Sequence, residues 1–217
     1  MARPSNTEQR RAEIAGALIK VMARQGYGGA SVTSVAKAAR LSPGLVHYHF
    51  KNKHEILLEA LDRLAASSAA RLEARLSEAG DADPVAAFLE FHLGLGADAD
   101  PEALACWVML SGEALRDREV QAAYERAIAA QTERLARCIR AGIDAGRYRC
   151  DDVDTAASAL VATIQGYFVL AASARSVIPR GSAARAARRM AEGLLGASLG
   201  AAPARKAAAR GTSKVTR

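Results

Sequence analysis

The sequence predicts an all-α protein, with a three-helix N-terminal head and a larger helical body. Three observations carry this reading. Apolar residues recur at i, i+3, i+4 and i+7 along most of the chain, and no stretch alternates as a strand would. Ala and Leu dominate while aromatics make up only 5% of residues, a composition that favours helix. Gly, Pro, Ser and Asp punctuate the periodic stretches at helix-length intervals. With 217 residues, half of them hydrophobic, the chain can hold one small module and one larger core.

Residues 1–6 read as a loose arm, from which Arg3, with Arg10 and Arg11 just beyond, could reach a phosphate or a minor groove. The first helix covers residues 7–25, where Ile14, Ala17, Leu18, Val21 and Met22 form one apolar stripe that needs a partner. Gly26-Tyr27-Gly28-Gly29 ends it. Residues 31–53, SVTSVAKAARLSPGLVHYHFKNK, supply the partner: two short helices joined by a tight turn. Thr33, or Ser31 just before it, can cap the first of these, with Val35, Ala36 and Ala39 on its inner side. Arg40-Leu41-Ser42 makes the turn. Ser42 is a good N-cap, and Pro43 fits the first helical position, where its missing N–H costs nothing. Leu45 and Val46 face inward, leaving Gly44, His47 and Tyr48 outward. Two helices about a 3–4-residue turn form the helix-turn-helix pattern, whose second helix enters the DNA major groove.

The stretch SVTSVAKAARLSPGLVHYHFKNKHEILLEAL, within roughly residues 8–64, resembles the DNA-binding region of TetR-family transcriptional regulators. The caps, the turn, the aromatics of the second motif helix and the K-N-K step that opens the next helix carry the likeness. The resemblance implies DNA contacts from Thr33, Arg40, Ser42, Gly44, His47, Tyr48, His49 and Lys53, with Phe50 structural. His47 takes the place where many members carry their first aromatic. Arg40 stands where the family usually has glycine. A left-handed backbone there costs a non-glycine residue about 1 kcal/mol, and Arg40 could offset this by reaching phosphate.

The body follows from residue 53. The fourth helix, about residues 53–77, runs from the second motif helix into the body and would link the reader to whatever the body senses; the free N–H groups at its start, with Lys53, could hold a phosphate. Further helices read at about 84–95, 101–116, 119–145, 153–175 and 182–199. The division expected is a head at 1–52, a ligand-binding and dimerisation domain at 53–199, and a disordered basic tail at 200–217. The helix near 153–175 is apolar almost all round, so it needs cover on most sides. Pairing of that helix and the 182–199 helix with their copies would provide it, as a four-helix homodimer interface.

The body is loosely similar to the BetI-like branch of the family, through Trp107, the segment GEALRDREVQAAYERAIAAQTERL, GIDAGRYRCDDVD and QGYFVLA. That likeness implies a ligand chamber, with Phe88, Phe91, His92, Trp107, Met109, Glu113, Gln165 and Phe168 as candidate lining. Glu113 and Gln165 are the more informative of these, because a polar group within an apolar body requires a partner.

Charge separates the function classes. Residues 1–53 carry nine Lys/Arg against two Asp/Glu, residues 54–199 sixteen against twenty-one, and residues 200–217 five against none. A basic head and tail around an acidic middle suit a phosphate-binding partner. No uninterrupted apolar run of about 18 residues and no secretory leader are read, so no transmembrane helix is expected and the cytoplasm is the expected compartment. Cys106, Cys138 and Cys150 read as reduced thiols. His47, His49 and His54 lack the i, i+4 spacing of a helical metal pair, and no catalytic or cofactor signature is present. The reading is therefore a DNA-binding regulator and not an enzyme: a repressor released from a near-palindromic operator by a small molecule. The alternatives are a non-specific DNA binder and a protein-interaction module.

Overall fold

The computed structural model describes residues 6–78, 82–96 and 99–200. Among these residues it is all helix: α1 (Asn6–Gly29), α2 (Val32–Ala39), α3 (Pro43–His49), α4 (Lys53–Glu78), α5 (Pro84–Leu93), α6 (Pro101–Ala114), α7 (Arg118–Asp144), α8 (Val153–Ser173) and α9 (Ser182–Leu195). Arg3 of the expected arm, and the expected disordered tail beyond Gly200, lie outside the described residues.

Local chemistry sets the ends. Gly26 breaks α1 with φ 70° and ψ 171°, a conformation that only glycine adopts freely. Asp83, Asp100, Asp117 and Asp152 each cap the helix that follows by accepting backbone N–H groups. Several ends differ from expectation: α1 continues past the Gly26 kink to Gly29, α5 stops at Leu93 and α6 at Ala114. A 3₁₀ turn, Arg175–Val177, follows α8. The last helix stops at Leu195, not near Leu199, because Gly196 turns left-handed (φ 56°) and returns its N–H to the Glu192 carbonyl.

The helices enclose two apolar clusters. One joins Ile14, Leu18 and Met22 of α1, Val35 and Ala36 of α2, Val46 of α3, Phe50, and Ile56, Leu57 and Leu61 of α4. It also takes in Cys106 and Leu110 of α6 and Val120 and Ala123 of α7. The other joins Leu72 of α4 and Phe88 and Leu89 of α5 to Leu135 and Ile139 of α7. Leu160 and Ile164 of α8 and Ala187 and Leu195 of α9 complete it. Thus α4, 26 residues or about 39 Å long at 1.5 Å per residue, runs from one cluster to the other, and so does α7. Helix α8 is, by length and composition alone, apolar enough to cross a membrane, a test that a core helix also passes. It packs on α5, α6, α7 and α9, yet only 28% of its most apolar 18-residue window is buried.

Arg40 ends α2 with φ 58° and ψ 41°. Leu41 N–H closes back onto the Ala36 carbonyl at 2.9 Å, and this helix ending places the residue before Leu41 in the left-handed region. Arg40 is the only non-glycine with positive φ among the described residues. Arg40→Gly should therefore raise the free energy of unfolding by up to about 1 kcal/mol, read by chemical denaturation.

Candidate DNA-reading head and effector chamber

The head is built by caps at one end and an aromatic anchor at the other. Ser34 N–H donates to Ser31 Oγ (3.0 Å) and Ser31 N–H to Ser34 Oγ (2.9 Å), so Ser31 rather than Thr33 caps α2. Ser42 Oγ accepts from Leu45 N–H (3.2 Å), and Pro43 occupies the first turn of α3. Val46 and Phe50, both essentially inaccessible, fix α3 to the core. The opposite face is open. Thr33, Arg40, Ser42, Gly44, His47 and Tyr48 are all exposed, Tyr48 by 80%. His49 is half-buried, its ring edge-on to Tyr48 at 5.1 Å. An apolar-ringed side chain held this far out on a short, well-anchored helix has no folding role to explain it.

Two basic residues expected at phosphates are engaged within the fold. Lys53 Nζ donates to the carbonyls of Tyr27 and Ala30, both at 2.8 Å, and sits 4.1 Å over the Tyr27 ring. It ties the end of α1 to the start of α4, the place where a cation satisfies orphan carbonyls. Asn52 Oδ1 caps α4 through Glu55 N–H (2.9 Å), and Glu55 folds back to accept Lys51 N–H (2.9 Å). Arg11 donates to the His49 carbonyl (2.8 Å) and to Glu59 Oε2 (2.5 Å), with its guanidinium 4.1 Å over Phe50. Glu59 also accepts from Arg63 at 2.7 Å. Burial pushes the Glu59 carboxyl up, but the hydrogen bonds and charges of Arg11 and Arg63 outweigh it and hold it below the usual range. Arg10 pairs with Glu13 one turn along α1.

The body residues expected to line a chamber fall into two groups that meet on α8. Trp107 Nε1 of α6 donates to Gln165 Oε1 at 2.8 Å, and Gln165 Nε2 donates to Gln131 Oε1 of α7 at 3.0 Å. Tyr124 of α7 lies against Trp107, ring centres 4.7 Å apart, with its hydroxyl 3.5 Å from Gln165 Oε1. Three residues along α8, Phe168 approaches His92 of α5, which Phe88 and Phe91 also flank. Met109 and Glu113 join neither group. Met109 packs against the head's cluster, and the Glu113 charge bears on the Tyr27 hydroxyl. Tyr124 and Gln131 are the members that sequence reasoning missed; their i, i+7 spacing on α7 puts them on one face and was the available signal. An open groove of about 690 Å³ along α9, lined by Arg185, Arg188, Arg189 and Glu192, contains none of these residues. Burial pushes the Cys106 thiol up to about 12 and the Cys138 thiol up to about 11, so neither ionises near neutral pH.

His92 keeps a little accessible surface, but its aromatic walls exclude most solvent. Burial lowers its pKa from 6.5 to about 4, although Nδ1 lies 2.9 Å from the Phe88 carbonyl. Between those values the unfolded chain holds a proton that the folded chain does not. Stability should therefore fall as pH drops from 6.5 to about 4, with His92 accounting for about 2–3 kcal/mol. Thermal melts across that range should show this slope in the wild type and lose it in His92→Phe.

Comparison with known proteins identifies the family of both parts of the chain. Residues 14–60 match the family of bacterial regulatory proteins described as tetR. Residues 82–196, more than half the chain, match the C-terminal domain of BetI-type transcriptional repressors. The HTH-type transcriptional regulator BetI of Rhizobium meliloti (strain 1021) is 26% identical over 166 residues, spanning 74% of this chain and 76% of that protein. A transcriptional regulator from Rhodococcus sp. Rha1 is 25% identical, with a TM-score of 0.71 over 88% of this chain and 99% of the other. One from Saccharomonospora viridis, solved in complex with choline, is 26% identical, with a TM-score of 0.71 over 85% and 94%. The chain belongs to the TetR family of bacterial DNA-binding transcriptional regulators, with a helix-turn-helix head and a BetI-type C-terminal domain.

Proposed function

We propose that this regulator is a homodimeric repressor that binds a near-palindromic operator and releases it when a small molecule enters the body. The observation that carries the reading is the outward face of α3. Tyr48, His47 and Gly44 stand in solvent above a core that fixes their helix rigidly, as base and phosphate contacts require. Tyr48 and His47 take the groove, with Thr33, Ser42, Gly44 and His49 beside the phosphates and Arg40 at the turn. Lys53 acts from below, ordering the joint, with one of its three ammonium protons left for a phosphate. The reader is residues 1–52, and 53–199 sense and dimerise.

Dimerisation through α8 and α9 is supported by what those helices leave uncovered. Val169 and Leu170 of α8 and Met190 and Leu194 of α9 are exposed. Ser158, Ala162 and Gly166, spaced four apart and exposed, form a stripe along which a second helix could approach closely. Two copies would make a four-helix interface, consistent with a cytoplasmic protein in which the membrane-length helix α8 is covered by its partner.

The effector belongs beside Trp107, Tyr124, Gln131 and Gln165, where π faces and neutral amides meet without a carboxylate among them. The choline found in the Saccharomonospora relative makes a quaternary ammonium the first ligand to try, since a cation over aromatic faces is attracted without a counter-charge. Selection of bound fragments from genomic DNA near physiological salt should recover one short palindrome. Tyr48→Ala should then weaken it by roughly tenfold or more. Choline should release the DNA and change the fluorescence of Trp107, the only tryptophan. Fragments without a common sequence would instead favour a non-specific binder.

A further inference from the structure

The joint between head and body contains a histidine that neither DNA contact nor effector binding accounts for. His54 lies on the first turn of α4, one residue after Lys53 and two after the Asn52 cap. Its Nδ1 is 3.3 Å from Asp117 Oδ2 and its Nε2 is 3.0 Å from Glu119 Oε2. Both carboxylates belong to the start of α7. Asp117 is the cap of that helix: its other oxygen accepts Glu119 N–H (2.9 Å) and Val120 N–H (3.1 Å). The two ring nitrogens point to opposite sides, so the trio cannot close on one metal ion. What the geometry shows is a ring held edge-on between two carboxylates, one facing each nitrogen.

The clasp sits at the edge of the apolar seam between head and body. Behind it, Ile56 and Leu57 of α4 pack in one cluster with Leu110 of α6 and Val120 of α7. The remaining charges nearby are Glu113 at the end of α6, whose charge bears on Tyr27 with that of Asp117, and Lys53 and Glu55 on α4 itself, both engaged in caps. Arg116 and Arg118 flank Asp117 in the chain and are exposed. The clasp is also close to the chamber along the same helices. Tyr124 follows Glu119 by five residues on α7, about 7.5 Å along the axis, and Trp107 lies on α6, which ends at the same turn. A ligand that parts Trp107 from Tyr124 would act on the two helices whose junction holds His54.

We propose that His54, clasped between Asp117 and Glu119, is the positioning residue through which the α6–α7 turn sets the tilt of α4 and so the separation of the two DNA-reading heads. This rests on the dimeric, operator-binding reading above. Asp117→Asn is the discriminating substitution, because Asn keeps the helix cap and removes the charge. His54→Phe keeps an aromatic ring and removes both nitrogens, and Glu119→Gln removes the other carboxylate.

The experiment measures affinity, by fluorescence anisotropy, for a set of operators whose half-sites are moved apart one base pair at a time, with thermal melts confirming that each variant is folded. Wild type should prefer one spacing by roughly tenfold over its neighbours, and His54→Phe, Asp117→Asn and Glu119→Gln should flatten that preference to about threefold or shift its optimum. A loss of affinity with an unchanged spacing profile would mean that the clasp only stabilises the fold, and would overturn the inference. Failure of wild type itself to select paired half-sites would overturn the operator-binding reading and this inference with it.

Discussion

The structure depends on the apolar seam that α1 and α4 share with α6 and α7. Leu18, Ile56 and Leu57 on the head side lie in one buried cluster with Cys106, Leu110 and Val120 from the body. Interiors packed to crystal-like density do not deform continuously; they shift between discrete arrangements. The three-helix head is therefore not a bead on a linker. Its position is set by which residues of α6 and α7 lie beneath α1 and α4, while Lys53 and Arg11 tie α1, α3 and the start of α4 to one another.

This arrangement explains why polar contacts gather where they do. Trp107, Tyr124, Gln131 and Gln165 form a hydrogen-bonded group at the meeting of α6, α7 and α8. His54, Asp117 and Glu119 gather where α6 turns into α7. Both lie on the same pair of helices. A ligand shifts such an equilibrium only by its differential affinity for the two arrangements, and replacing or breaking the Trp107–Gln165 bond is one local change that would supply it. The exposed faces of α8 and α9 lie away from that pair, so assembly and sensing can use different surfaces of the same body.

The head was legible in the sequence because its signals are local. Ser31, Ser42, Pro43 and the Gly26 break each act within four residues of themselves, and the left-handed Arg40 followed from the turn it occupies. The body was legible as helices but not as a site. Gln165 meets Trp107 across 58 residues, and no periodicity on either helix names the partner. Gln165 was singled out because a polar group in an apolar body needs company, and it finds that company in Trp107 and Gln131 of the same chain. The same argument applied to Glu113 found a neighbour at the joint, beside Tyr27, and not in the Trp107–Gln165 group. Lys53 and Arg11 show the converse limit. A basic residue beside a DNA-reading helix suggests a phosphate, yet an orphan carbonyl or a carboxylate across the fold competes for the same donors, and only three-dimensional packing decides.

The measurement that tests this account most directly is native-state amide exchange on the folded protein. A shared seam predicts that amides of Leu18 and Val21 in α1 open with the same free energy as those of Leu110 in α6 and Val120 in α7, as one cooperative unit. If the α1–α3 amides exchanged through a separate opening of much lower free energy, while α6 and α7 stayed protected, the head would be an independent module. The seam would then not be what positions it.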